Sequence, residues 1–250
     1  MIIYLAVGNQ TYLEKSAFVG ADVLSSFFYC ERHTPLTESI PYMRDFLLDS
    51  GVFSFINSGK KFDDSYIHRY AEYIQENRIK SYVELDVDQI IGVKETRKLR
   101  DKIENLVGWP SIPVWHTIRG KESFLQDCRD YQRICLGFFL TEGLPTRLTE
   151  KYAPWFIEKA HENNCKIHGL GFTKTTLLPK FHFDSVDSST WSFAQRGGYT
   201  YKFDLEKKVV KYTKRPEHLK MKDYRGIVNH SWQQWRKYQD WARAYLTPIK

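Results

Sequence analysis

The chain of 250 residues has no paired cysteines. Cys30, Cys128, Cys135 and Cys165 fall in no CxC or CxxC pair. Without an export signal they point to a reducing cytoplasm. Long apolar runs are also missing. The opening MIIYLAVGNQTYLEK has no basic leader region, and no stretch is long enough to span a bilayer. A cytoplasmic chain with no membrane partner is therefore expected. There is no internal repeat and no low-complexity segment, and Gly and Pro stand at ordinary levels, 14 and 9. Disordered and fibrous classes are thereby excluded.

Aromatic residues are plentiful, at 16%, and 42% of the chain is hydrophobic. That is ample material for a sizeable core. The net charge of +7 is unevenly placed. Residues 201–250 hold 13 Lys/Arg against 5 Asp/Glu, whereas residues 1–200 hold 24 against 25. A basic C-terminal fifth fits either a solvated helix or a polyanionic partner.

Short apolar runs alternate with amphipathic stretches. The runs are 2–7, 45–51, 81–88, 111–118, 133–139, 166–172 and 183–189. Helical patterns cover 64–77, 93–106, 121–130 and 148–163, with Asp63-Asp64 and Thr149 as caps. Repeated βα units mean a parallel sheet. At least six in about 190 residues favour a (β/α)8 TIM-type barrel of the α/β class over a small open sheet. The segment VLSSFFYC (23–30) fits a strand or a buried helix, and periodicity does not decide. After Trp191 the pattern changes to an alternating hairpin (197–213) and an aromatic helix (231–246). The expected organisation is a barrel over 1–195 and a basic, aromatic-rich extension over 196–250, packed on the barrel.

Active-site groups of a barrel come from the C-terminal ends of its strands. Here those ends carry Asp49-Ser50-Gly51, then Glu84, Asp86 and Asp88, then His116 with Arg119, then Gly137, then His168, Gly169 and Gly171, then Asp184, Ser185, Asp187 and Ser188. A single aspartate there is commonly a helix cap. Recurrence of Asp49, Asp86 and Asp187 suggests more, because buried carboxylates need partners or a function. A divalent ion on Asp86, Asp88, His116 and His168 is one option. The other is a pair of carboxylates dividing nucleophilic and acid/base work at a glycosidic bond.

Two segments carry a resemblance. LLDSGVFS (47–54) and SVDSSTW (185–191) resemble the LDSGAFS and SVDSTSW segments of phage-type DNA guanine transglycosylases, relatives of the tRNA-guanine transglycosylases. ELDVD (84–88), PVWHTIRG (113–120), ICLGF (134–138) and KIHGLGFT (166–173) look like that group too, so the likeness covers about 45–191. It implies exchange of guanine in DNA for a 7-deazaguanine of the preQ0 type, in the host-cell cytoplasm, through a covalent glycosyl-aspartate. The implied partners are duplex DNA with a flipped guanosine and the free deazaguanine base. No redox cofactor, nucleoside triphosphate or metal is implied.

Carried over by residue, Asp49 resembles the general acid/base and Ser50 would hold the purine beside it. Asp86 resembles the carboxylate on the base edge, and Gly137 gives close backbone approach. His116 stands where the larger enzymes have glutamine. His168 and Gly169 complete the base-binding set. Two nucleophiles compete: the tRNA-type segment FDCV selects Asp184, and the longer phage-type match selects Asp187. Three residues apart on a strand, they face opposite sides. The zinc cluster of the tRNA enzymes is missing, which argues against tRNA and leaves the basic 202–225 stretch as a phosphate-tracking surface. A small tRNA enzyme, a non-catalytic nucleic-acid-binding barrel and a metal-dependent hydrolase are the competing readings.

Overall fold

A computed structural model describes residues 1–8, 13–57, 63–137, 146–172, 174–193, 199–214 and 223–246. In it the apolar runs become parallel strands: β1 (Ile2–Val7), β2 (Asp22–Ser26), β3 (Asp45–Asp49), β4 (Val114–Trp115), β5 (Arg133–Leu136), β6 (Lys166–Gly169) and β7 (Ser185–Ser188). Their order is β3-β2-β1-β7-β6-β5-β4. Residues 82–83 close the gap between the two ends, bridging Leu48 to Tyr82 and Val83 to Ile112. Hydrogen bonds therefore run round the whole ring, and the chain is a (β/α)8 barrel.

Alternation along the strands sorts side chains into two cores. Tyr4, Leu24, Leu47, Val83, Ile112, Val114 and Cys135 form a small cluster of their own inside the ring. The larger cluster lies outside, between strands and helices. Four long helices match the amphipathic stretches: Asp64–Glu76, Val93–Val107, Gly120–Asp130 and Thr146–Glu162. Asp63 caps the first, accepting from the Ser65 and Tyr66 amides. Thr149 falls inside its helix, not at the start.

The ambiguous 23–30 segment is both things in turn. It runs as β2 to Ser26 and then as a four-residue helix, Phe27–Cys30. Periodicity could not separate them because both halves are buried: Val23, Leu24, Phe27 and Cys30 all lie inside.

After β7 the chain forms the antiparallel hairpin β8 (Tyr199–Asp204) and β9 (Val209–Lys214), then a helix, Tyr224–Tyr245, that begins earlier than its aromatic pattern and is capped by Asp223. Residues 197 and 198 of the expected hairpin and 215–222 of the basic stretch lie outside the described residues. Trp232, Trp235, Tyr238 and Trp241 are all buried. Trp232 stacks edge-on against Phe18 and Trp191. Gln239 donates to the carbonyls of Ile3 and Asp22. The helix thus covers β1 and β2; among the described residues of their connection there is one helix, the four-residue Lys15–Phe18. Each such buried aromatic contributes roughly 2–3 kcal/mol. Among the described residues no helix is long and apolar enough to cross a membrane.

Candidate active site at the barrel mouth

Register places the polar strand ends. Tyr4 faces into the ring and pairs with Asp187, while Ile2 pairs with Ser185. Paired neighbours share a face, so Asp187 and Ser185 also point inward. Asp49 lies two residues beyond interior Leu47, His116 two beyond Val114, and Gly137 two beyond Cys135. These positions converge on the C-terminal mouth. Asp184 does not join them. It precedes β7 at the opposite end, where its Oδ2 accepts the Ile167 amide at 2.8 Å and faces His161 Nε2 at 3.0 Å.

Asp49 ends β3 at a turn that requires glycine. Gly51 has φ +67, and a Cβ there would sit 2.8 Å from the Phe28 nitrogen. The turn aims the Gly51 amide at Asp49 Oδ1, 3.0 Å away. Ser50 is buried and its hydroxyl is 3.5 Å from the same oxygen. Its carbonyl accepts the Tyr66 hydroxyl, which fixes the turn to the helix behind. Burial first, and then the charges of Asp86 and Asp187, push the Asp49 carboxyl from 3.8 up to about 6.

Asp86 is partly exposed and grips His116, whose Nε2 lies 2.8 and 2.9 Å from its two oxygens. Burial pulls the His116 pKa down, but the hydrogen bond and charge of Asp86, aided by Asp88, hold it above 6.5. The imidazole lies over Gly137, where a Cβ would approach its Cε1 to 2.5 Å. Gly137 thus makes room for His116. His116 is 2% exposed and supports Asp86, so direct reading of a purine carbonyl is not what its geometry offers. Gly169 faces the outer core, with its Cβ direction toward Phe183 and Phe172, because it is one residue out of phase with inward His168.

A buried ion cluster anchors this pair from outside the ring. Arg119 holds Asp88 through Nε and Nη2 and meets Glu84 Oε1 at 2.9 Å. Arg100 adds Asp127 at 3.4 Å. Glu84 and Asp88 flank Asp86, and Arg119 follows His116, so the cluster ties the two loops together. Burial raises Glu84 to about 7 despite both arginines.

Asp187 completes the mouth. Its Oδ1 accepts the Gly171 amide at 2.6 Å, from a glycine with φ +66. His168 Nε2 lies 3.4 Å from the same oxygen, and His168 Nδ1 is 2.8 Å from Ser185 Oγ. The residues considered for a divalent ion are thus drawn apart: Asp88 to Arg119, His168 to Ser185, and Asp86 to His116. Among the described residues no group of three or more His, Cys, Asp or Glu converges as metal ligands. A cavity of about 470 Å³ lies elsewhere, along the helix Thr146–Glu162, lined by Ile157, His161 and Phe181.

Gly171 at the mouth, and behind His168 Ser185 with Arg133, whose Nη2 lies 3.3 Å from Ser185 Oγ, stand out least in sequence. A glycine, a serine and one arginine at strand ends have ordinary readings. For Arg133 and Ser185 the signal that finds them is parity, since they share phase with Cys135 and Asp187.

No family model and no curated protein matches the chain. Among solved structures, a protein named for fructose-1,6-biphosphate aldolase, from Coccidioides immitis, aligns with a TM-score of 0.54 at 11% identity, over 98% of this chain and 89% of that one. The copper homeostasis protein CutC from Streptococcus agalactiae aligns with a TM-score of 0.48 at 14% identity, over 76% and 99%. At such identities the aldolase-named structure supports the barrel fold alone.

Proposed function

We propose that this barrel is a guanine transglycosylase that exchanges guanine in DNA for a 7-deazaguanine. The observation that carries the reading is the gathering of Asp49, Asp86 and Asp187 at one barrel mouth, in the segments LLDSGVFS and SVDSSTW, with Asp49 poised near 6. Two carboxylates with different environments suit a division between acid/base and nucleophile.

The target guanosine leaves the stack, because its C1′ is out of reach within a duplex. The Asp187 carboxylate attacks C1′. The bond to N9 breaks, the electron pair leaves on guanine, and protonated Asp49 supplies the proton. A deazaguanine then takes the same place. Asp49, now a carboxylate, removes its N9 proton, N9 attacks C1′, and Asp187 departs. Two inversions retain configuration. Asp86, held by His116, accepts hydrogen bonds from the base edge. Phosphate contacts fall to the basic C-terminal stretch.

The test is incubation of purified protein with radiolabelled guanine, supplying duplex DNA or bulk tRNA in separate reactions. Label in DNA alone supports the reading. Label in tRNA alone keeps the chemistry and replaces the substrate. Absence of label in both, with a deazaguanine supplied as well, overturns it.

A further inference from the structure

Inside the barrel, below the mouth, a polar chain leads to Asp187 through Tyr4, Arg133, Ser185 and His168, none of which the reaction above uses. Arg133 Nη2 is 3.2 Å from the Tyr4 hydroxyl and 3.3 Å from Ser185 Oγ. Ser185 Oγ is 2.8 Å from His168 Nδ1, and His168 Nε2 is 3.4 Å from Asp187 Oδ1. Ser185 and His168 are both fully buried.

Proton placement along this chain follows from the donors. A guanidinium cannot accept, so Ser185 Oγ accepts from Arg133. The serine has one hydrogen of its own. Its only other polar neighbour among the described residues is His168 Nδ1. If Nδ1 carried the proton, the serine hydrogen would be buried without an acceptor, at a cost of about 1–3 kcal/mol. The bare Nε2 lone pair would also face the Asp187 carboxylate. The serine is satisfied when Ser185 donates to Nδ1, and the ring proton then sits on Nε2, where it makes no formed hydrogen bond but faces the Asp187 carboxylate at 3.4 Å with an attraction in place of the repulsion. Burial favours the uncharged ring, lowering the His168 pKa from 6.5, so a choice of tautomer is what remains.

We infer that Ser185, backed by Arg133, is a positioning residue that locks His168 as the Nε2–H tautomer, so that the ring N–H faces Oδ1 of Asp187, the oxygen the Gly171 amide already holds. Oδ2 accepts no hydrogen bond from the described residues. It is then the oxygen presented to the mouth, and the one that forms the bond to C1′. The catalytic consequence rests on Asp187 being the nucleophile; the tautomer does not.

The test has two parts. Long-range proton–nitrogen spectra of histidine-labelled protein report which nitrogen of His168 carries the proton, with the peak assigned from His168→Gln. The expected result is a proton on Nε2 in the wild type and a shift toward Nδ1–H in Ser185→Ala, reversed in Ser185→Thr. Single-turnover formation of the covalent DNA adduct should slow by roughly 10- to 100-fold in Ser185→Ala, with DNA affinity unchanged. A proton on Nδ1 in the wild type, which needs no variant to fold, overturns the inference. So does an unchanged tautomer and adduct rate in Ser185→Ala. If the tautomer follows Ser185 while the wild type forms no adduct with any nucleic acid, the relay stands and the transglycosylase reading falls.

Discussion

The two ends of this barrel carry the same residue and use it in opposite ways. At the N-terminal end, Asp22 is enclosed by Arg44, Arg243 and Gln239. Asp45 accepts the Tyr4 hydroxyl, and Asp184 is held by His161 and the Ile167 amide. At the C-terminal end, the three aspartates have few partners. Asp49 has a backbone amide and a distant serine, Asp86 has one histidine, and Asp187 has one amide and a histidine at 3.4 Å. A carboxylate ringed by arginines has its charge already answered and serves the fold. Carboxylates crowded together beneath the mouth keep an unsatisfied demand, which a substrate can meet. In a (β/α) barrel that division follows from the fold, since loops at the C-terminal face build the site and the other face holds the barrel together.

Substitutions at the two ends should separate these roles. The largest expected effect is at Asp187. Asp187→Asn removes the nucleophile and should lower base exchange by roughly 10⁴-fold or more, with thermal stability little changed. Label exchange and a melting curve on one preparation check both halves. Asp49→Asn comes next, lowering exchange by about 10²–10⁴-fold. Its pH dependence has a definite sign. The folded carboxyl titrates at about 6, above 3.8, so incorporation of the entering base should rise as pH passes upward through 6. Over that window the folded state holds a proton that the unfolded chain has lost, so this group's contribution to stability falls as pH rises. Asp49→Asn should therefore be more urea-resistant than wild type at pH 7, and the gain should disappear at pH 4.

At the other end, the effects should move to stability. Asp22→Ala removes the buried anion shared by Arg44 and Arg243, leaving Arg44 its pair with Asp240, and should destabilise by about 1–3 kcal/mol, read as a lower urea midpoint, with exchange per folded molecule preserved. Asp184→Asn should be mildest, destabilising by about 1 kcal/mol and leaving exchange nearly unchanged. Loss of exchange in Asp184→Asn, with Asp187→Asn active, would reverse the comparison.

Much of this division was legible before any coordinates. Strand alternation gave the barrel, and the odd spacing of Asp184 and Asp187 already forced one of them out of the mouth. Which one depended on where β7 begins, and that is set by pairing with β1 and β6, a long-range fact. Asp86 and His116 were both visible, but not their contact, which brings together residues 30 apart from neighbouring loops. The packing of His116 over Gly137 was hidden for the same reason, since the group over it is a side chain from the adjacent strand end. The stretch around 23–30 was opaque because the strand there is buried on both faces and the helices nearby, Lys15–Phe18, Phe27–Cys30 and Thr34–Thr37, are four residues each, too short to show a helical period. The resemblance to transglycosylases came from two short segments, and both end strands at the mouth.

The most direct measurement is a search for a covalent protein–DNA complex on a denaturing gel, after incubation with duplex DNA and free guanine or deazaguanine. Wild type and Asp184→Asn should each give a shifted band, and Asp187→Asn none, with peptide mass spectrometry placing the sugar on Asp187. A band that survives in Asp187→Asn and vanishes in Asp184→Asn would contradict the assignment of the nucleophile to the barrel mouth.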